Sequence, residues 1–258
     1  MSAGGTVTYS TTLIDRSADL GTQNSQGVAY DGTHYYYTDS FVIYKFSRNA
    51  ETNVYTLVDS HDTTADSTPA AIEQINGISF YDGYLWVGAS NFQNTPKMGW
   101  VLKYDPATLA HVATYETEDY WAEGGAWKNV GNGDEYWAVY HDQPIVSRYR
   151  INGSAFELVA NYNLGFVMGQ NTFLSQSAVW LNDLFIVQNH GYREVEPATT
   201  DVYRWNGVEF DAVQKIPRLS VAAGQGIHWE VEVSVLLFAE RNGVNGNAIV
   251  RATWAETS

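Results

Sequence analysis

The chain contains no cysteine in 258 residues. This excludes disulfides and every thiolate metal site. Basic residues are scarce, with 14 Lys and Arg against 29 Asp and Glu and a formal net charge of −15. Phosphate backbones need clustered Lys and Arg, so nucleic acid is excluded as a partner. Anionic membrane surfaces are excluded on the same ground. No run approaches 18 consecutive apolar residues, so no membrane-spanning helix is expected. The opening MSAGGTVTYS lacks a basic segment followed by an apolar core, so no secretory signal is expected there. No twelve-residue stretch carries the helical hydrophobic period. A Gly-rich phosphate loop, a G-x-S-x-G elbow and the ligand series of an EF-hand are absent too.

What is abundant points to strands. Hydrophobic residues make up 45% of the chain and aromatics 14%, and 22 glycines punctuate them. Aromatic and β-branched residues fit a pleated surface, and glycine serves tight turns. One pattern recurs five times: QGVAY from Gln26, NGISF from Asn76, EGGAW from Glu123, QSAVW from Gln176 and QGIHW from Gln225. Each opens on a polar residue and places an aromatic four positions later: Tyr30, Phe80, Trp127, Trp180 and Trp229. The openers are spaced by 50, 47, 53 and 49 residues. A second apolar run follows each, and then a third carrying Lys45, Lys103, Arg148, Arg204 or Arg251. A fourth run follows in four of the five units. Asn152-Gly153 and Asn206-Gly207 separate third from fourth runs and predict type I′ hairpin turns.

Four short antiparallel strands repeated about every fifty residues describe a β-propeller. The predicted fold is therefore all-β, with five four-stranded blades in one domain. The last unit lacks a fourth strand, and residues 6–14 (TVTYSTTLI) are predicted to supply it beside Ala248–Thr253.

The first strand of each blade lines the axis of a propeller. Gln26, Asn76, Glu123, Gln176 and Gln225 are therefore candidate ligand-binding residues, with glycine beside them allowing close backbone approach. A bland role stands next to that one, in which the amides bond ordered water and backbone. The second strands end in Asp39, Ser90, His141, Asn189 and Glu240, and Asn91, His190 and Arg241 follow three of these. Glu123, His141, His190, Tyr192 and Arg241 are candidate catalytic residues, because His and Tyr move protons and Arg holds carboxylates. Asn91, Asn189 and Glu240 are further candidate ligand contacts. No motif calls for a cofactor. A calcium or sodium ion on the axis would suit the oxygen ligands there, with Glu123 the one carboxylate at that level.

Two resemblances attach to these residues. YRWNGVEFDAVQKIP, between LFIVQNHG and HWEVEV, resembles one blade of the EAR (EPTP) propeller repeat, which implies protein interaction. Over the whole chain, SQGVAYDGTHYYYTD and YDPATLAHVATYETEDYWAEGGAW resemble the five-bladed glutaminyl cyclotransferases of plants and bacteria. That resemblance implies the fold and puts Glu123 at the Glu of the family's EGWG motif. Asn76 stands where the family tends to carry another Glu, and Ala239-Glu240-Arg241 stands at its late TGK.

The leading expectation is binding of a small polar ligand, a glycan foremost, at the axial mouth. Aromatic faces would stack on sugar rings while amides bond hydroxyls. The alternatives are a hydrolase or lyase acting on saccharides or esters from the same pocket, and a protein-interaction module of a secreted or virion assembly. An extracellular or virion setting accords with the lack of cysteine.

Overall fold

The structure is a computed structural model. It describes residues 7–257 except 23, 93, 119, 132, 142, 165–174, 190–198, 218–223, 231–233 and 244–245, and only the backbone of 217, 224, 225, 241–243 and 246. Twenty strands form five four-stranded antiparallel sheets. Blade I holds β2 (Gly27–Tyr30), β3 (Tyr35–Thr38), β4 (Val42–Asn49) and β5 (Val54–Asp62). Blade II holds β6 (Gln74–Tyr81), β7 (Tyr84–Ser90), β8 (Gly99–Tyr104) and β9 (His111–Glu116). Blade III holds β10 (Ala122–Asn129), β11 (Asp134–Tyr140), β12 (Gln143–Asn152) and β13 (Ala155–Asn163). Blade IV holds β14 (Ser175–Leu181), β15 (Leu184–Asn189), β16 (Thr199–Trp205) and β17 (Phe210–Pro217). Blade V holds β18 (Gly224–Glu230), β19 (Val235–Gly243), β20 (Gly246–Thr257) and, from the other end of the chain, β1 (Thr8–Arg16). The one helical element among the described residues is a 3-10 turn, Thr63–Ala65.

Burial falls from the axis outward. The second strands β7, β11 and β15 are buried almost throughout, because both of their faces meet neighbouring blades. The outermost β5 and β13 are mostly exposed. One hydrophobic cluster fills each junction between blades. Ile43 with Leu102 marks junction I–II, Trp86 with Tyr149 II–III, Val146 with Phe185 III–IV, Ile186 with Phe238 IV–V, and Tyr37 with Ile249 V–I. The fifth cluster makes the ring complete.

The N-terminal strand closes blade V, as the repeat count requires. Thr8 pairs with Thr257 and Arg16 with Val250, so the partner segment lies a few residues further along than the sequence suggests. Two charges lock it. Arg16 meets the buried Glu240 at 2.7 Å, and Asp15 bridges Arg251 (2.9 Å) and Arg48 (3.1 Å).

The Asn-Gly turns differ from the expected type. A type I′ turn needs positive φ at both central residues. At Asn152-Gly153 and Asn206-Gly207 only the glycines have it, with φ of 63° and 100°. β12 keeps Asn152 as a paired strand residue opposite Ala155, which moves the turn to Gly153-Ser154. At the second site Trp205 pairs with Phe210, leaving a four-residue loop. There the Asn206 side chain accepts from the Val208 and Glu209 amides. Asn206 thus serves as a loop cap. The double positive-φ pair occurs instead at Asp82-Gly83 (48° and 76°), between β6 and β7.

Asp201 is fully buried in blade IV. Burial is the largest influence on Asp201 and raises its carboxyl, against hydrogen bonds from Thr199 and Asn189 that lower it. The fold therefore holds that proton more tightly than the unfolded chain does. The contribution to stability is present at low pH and lost as pH rises through the folded value. Asp201→Asn is expected to melt above the parent at about pH 7, and the difference should vanish near about pH 3, where both forms are neutral. Parallel thermal melts at the two pH values check this.

Candidate axial site

The five opening residues stand at one end of the innermost strands, and the loops after the second strands join them there. The local backbone explains the aim of Asn76, Glu123 and Gln176. In blades II to V the pairing of first and second strands slips at the opener, between Ile75 and Ile78, Ala122 and Gly124, Ser175 and Ser177, and Gly224 and Ile227. Such bulges leave a residue outside the ladder and re-aim its side chain. Asn76, Glu123, Gln176 and Gln225 occupy these positions.

The layer beneath is closed. A methyl group on Gly77 would sit 2.7 Å from the Gln176 carbonyl and 2.9 Å from that of Glu123. One on Gly226 would lie 2.5 Å from the Gly27 Cα. At this level the axis is packed backbone among the described residues, so the site stands above a closed floor, as the base of an axial cup.

Above this floor Glu123, His141 and Gln176 meet. His141 Nδ1 lies 3.2 Å from Glu123 Oε1 and 3.0 Å from Gln176 Nε2. The Glu123 side chain is 2% exposed and that of His141 20%. His141 follows β11, and its amide donates to the Trp121 carbonyl at 3.1 Å, which ties the second strand's end to the segment leading into β10. In the neutral ring Nδ1 accepts from the Gln176 Nε2 amide and the proton sits on Nε2, whereas the ring protonated at both nitrogens pairs with Glu123. Aromatic rings wall this group. Phe92 stands edge-on to His141 with centroids 6.0 Å apart, and Trp121 lies 6.3 Å from it. Lys97 Nζ sits 4.4 Å above the Trp121 ring.

The other candidates divide. Asn76 is fully buried; its amide donates to the Ala122 carbonyl (2.8 Å) and to Ser90 (3.2 Å), tying blade II to blade III. Gln26 is buried, and its Oε1 has no hydrogen-bond partner among the described residues. Asn91 spans its own loop, donating to the Pro96 carbonyl and accepting from the Met98 amide. Asn189 joins Ser175 to Asp201 inside blade IV. Glu240 holds Arg16. These three therefore make structural contacts. His190 and Tyr192 lie outside the described residues, as do the side chains of Gln225 and Arg241. No three His, Asp or Glu side chains converge as a metal site among the described residues. Glu123, Gln26 and Gln176 are all buried, and the Oε1 atoms of Glu123 and Gln26 are shut off from solvent.

Sequence reading missed Phe92, Lys97 and Trp121. Trp121 stands two residues before Glu123 and was open to detection as the aromatic preceding an opener. Phe92 and Lys97 come from the β7–β8 loop, and no repeat position marks them.

No family model matches the sequence, and no curated protein matches it. Similar solved structures exist. A glutaminyl cyclase from Myxococcus xanthus shares 12% identity, with a TM-score of 0.66 over 96% of this chain and 97% of that one. The PQQ-bound aldose sugar dehydrogenase of Streptomyces coelicolor shares 10% identity, with a TM-score of 0.54 over 96% and 99%. At such identities the likeness is one of fold. The chain is a five-bladed β-propeller that resembles, at low identity and along nearly its whole length, a bacterial glutaminyl cyclase.

Proposed function

We propose that the axial cup binds a small polar ligand rich in hydroxyl groups, a glycan foremost. One observation carries this reading: the Glu123–His141–Gln176 group lies beside the rings of Phe92 and Trp121. Polar atoms that fix orientation, set against an apolar wall, are the usual division of labour in a ligand pocket. The closed floor supports a compact ligand or a chain end over a threaded polymer.

A second reading has its own support. The 3.2 Å contact of a buried carboxylate with an imidazole is the arrangement of a general base and its orienting acid. The two similar structures are, by their names, enzymes. In this reading Glu123 holds and charge-balances the His141 ring protonated at both nitrogens, and Nε2 exchanges its proton with the bound molecule.

Glu123→Gln separates the two. The fold should persist, since three of the five openers are already Gln. A simple binding site should keep affinity to within about 1 kcal/mol, roughly fivefold. A proton-transfer site should lose turnover by about 100-fold or more while binding survives. Binding is read on a glycan array, and products by mass spectrometry of the same mixtures, with and without added calcium. Binding that requires calcium would place an ion beside Glu123. Trp121→Ala should weaken binding in either case. Unchanged retention by the Trp121 variant, or neither retention nor product with the parent protein, would overturn the assignment.

A further inference from the structure

The repeated cation of the third strands offers an internal comparison. In four blades it meets protein oxygen. Lys45 donates to the Pro106 carbonyl at 2.9 Å, Arg148 pairs with Glu135, Arg204 with Asp183 at 3.1 Å, and Arg251 with Asp15 at 2.9 Å. Lys103 of blade II differs. Its Nζ lies 3.5 Å from the centre of the Tyr84 ring and 5.0 Å from that of Trp86, and it makes no ion pair among the described residues. Partial burial lowers its pKa, only partly offset by Asp82.

Lys103 faces a pocket of ≈ 290 Å³ between blades II and III. The β6–β7 and β10–β11 turns border it, so it opens at the end of the molecule opposite the axial cup. Its floor is Trp86 and Trp127, both buried, and Tyr81 stacks on Trp127 at 5.5 Å and 11°. Its rim is exposed and carries Asp82, Asp134 and Arg150. Burial and the neighbouring Asp134 raise the Tyr81 phenol to about 12, so that hydroxyl stays a donor at neutral pH. Arg150 already donates to the buried Glu135 at 2.7 Å and is 45% exposed.

We propose that this pocket is a second ligand site, independent of the axial cup, and that it takes a monosaccharide bearing a carboxylate, with the acid group on Lys103. The ligand's carboxylate then fills the place that Glu135, Asp183 and Asp15 fill for the cations of blades III, IV and V. Ring hydroxyls donate to Asp82 and Asp134, and the C–H edges of the ring lie on Tyr81 and the indoles. The volume suits one sugar ring, at the lower limit of small-molecule pockets. A neutral sugar would leave Lys103 with only the partial compensation of Asp82, so the acid is preferred.

Saturation-transfer NMR with D-glucuronate and D-glucose, on the full chain, tests this without a variant. Transfer to glucuronate well above that to glucose is expected. Equal transfer to both, or none to glucuronate, overturns the proposal. Lys103→Met keeps the apolar stem over Tyr84 and should weaken glucuronate by about 10-fold or more, bringing the two sugars level. An unchanged preference in a folded Lys103→Met protein overturns it as well. Trp121→Ala, at the axial cup, should leave the glucuronate signal intact. Its loss there would put the sugar at the cup and remove the second site, whereas failure of the cup to bind any glycan leaves this result unaffected.

Discussion

Removing residues 1–16 is expected to cost the protein its cooperative fold. The deletion takes the whole of β1 out of blade V and exposes the β20 edge from Val250 to Thr257. It strips the buried Tyr9 from the cluster it shares with Ile216 and Leu236. It leaves Glu240, 2% exposed, without Arg16, and leaves Arg251 and Arg48 without Asp15. Breaking one buried pair by removing a single partner costs about 3–5 kcal/mol. Burial of a large apolar side chain adds about 1.5–3 kcal/mol. Together these approach the total stability of an ordinary domain, about 5–15 kcal/mol. Circular dichroism should show loss of the melting transition, or the protein should aggregate through its open edge. A truncated chain that melts with the parent would mean that β1 does not hold the ring. Arg16→Ala isolates the charge contribution and should lower the melting temperature less than the deletion does.

The second large effect is expected on the axis. Gly27→Ala would place a methyl carbon 2.5 Å from the Ile78 amide nitrogen, 2.8 Å from Thr38 Oγ1 and 2.9 Å from the Gly77 Cα. Two of these neighbours are backbone of the next blade, which cannot move without parting blades I and II. Thr38 is held in turn by its bond to the Asn76 carbonyl at 2.7 Å. Overpacking of this kind costs about 1–3 kcal/mol where side chains can adjust, and more where they cannot. Gly83→Ala supplies the contrast. Gly83 has a positive φ of 76° and open space around it, so its substitution costs only backbone strain of about 1–2 kcal/mol. Urea unfolding of the two variants should rank Gly27→Ala well below Gly83→Ala. Equal midpoints would show that the axis is looser than the contacts between Gly27 and Gly77 imply.

Blade number, strand order and N-terminal closure were legible because each is a periodic property. A repeat unit that cannot bury both of its faces alone must stack, so the spacing of Gln26, Asn76, Glu123, Gln176 and Gln225 counts the blades. The missing fourth run in the last unit assigns β1. The turn types were less legible. Whether Asn152 takes positive φ depends on whether it stays paired with Ala155, and that is set by the register of the whole strand pair.

For the candidate site, the sequence by itself placed Glu123 and His141 together at one end of the molecule, where the two side chains meet. Both placements follow from position within a repeat. Only the tertiary structure decided what each polar group does. Asn189 and Glu240 hold the repeat position of His141 and Asn91 the one after it, yet their side chains are taken up by Ser175 and Asp201, by Arg16, and by Pro96 and Met98. Gln176 reaches His141 across a blade boundary. A repeat alignment gives each residue its height and its strand. The partner of a polar side chain is set by a neighbouring blade or by a loop whose length varies from unit to unit, and neither is written in the repeat.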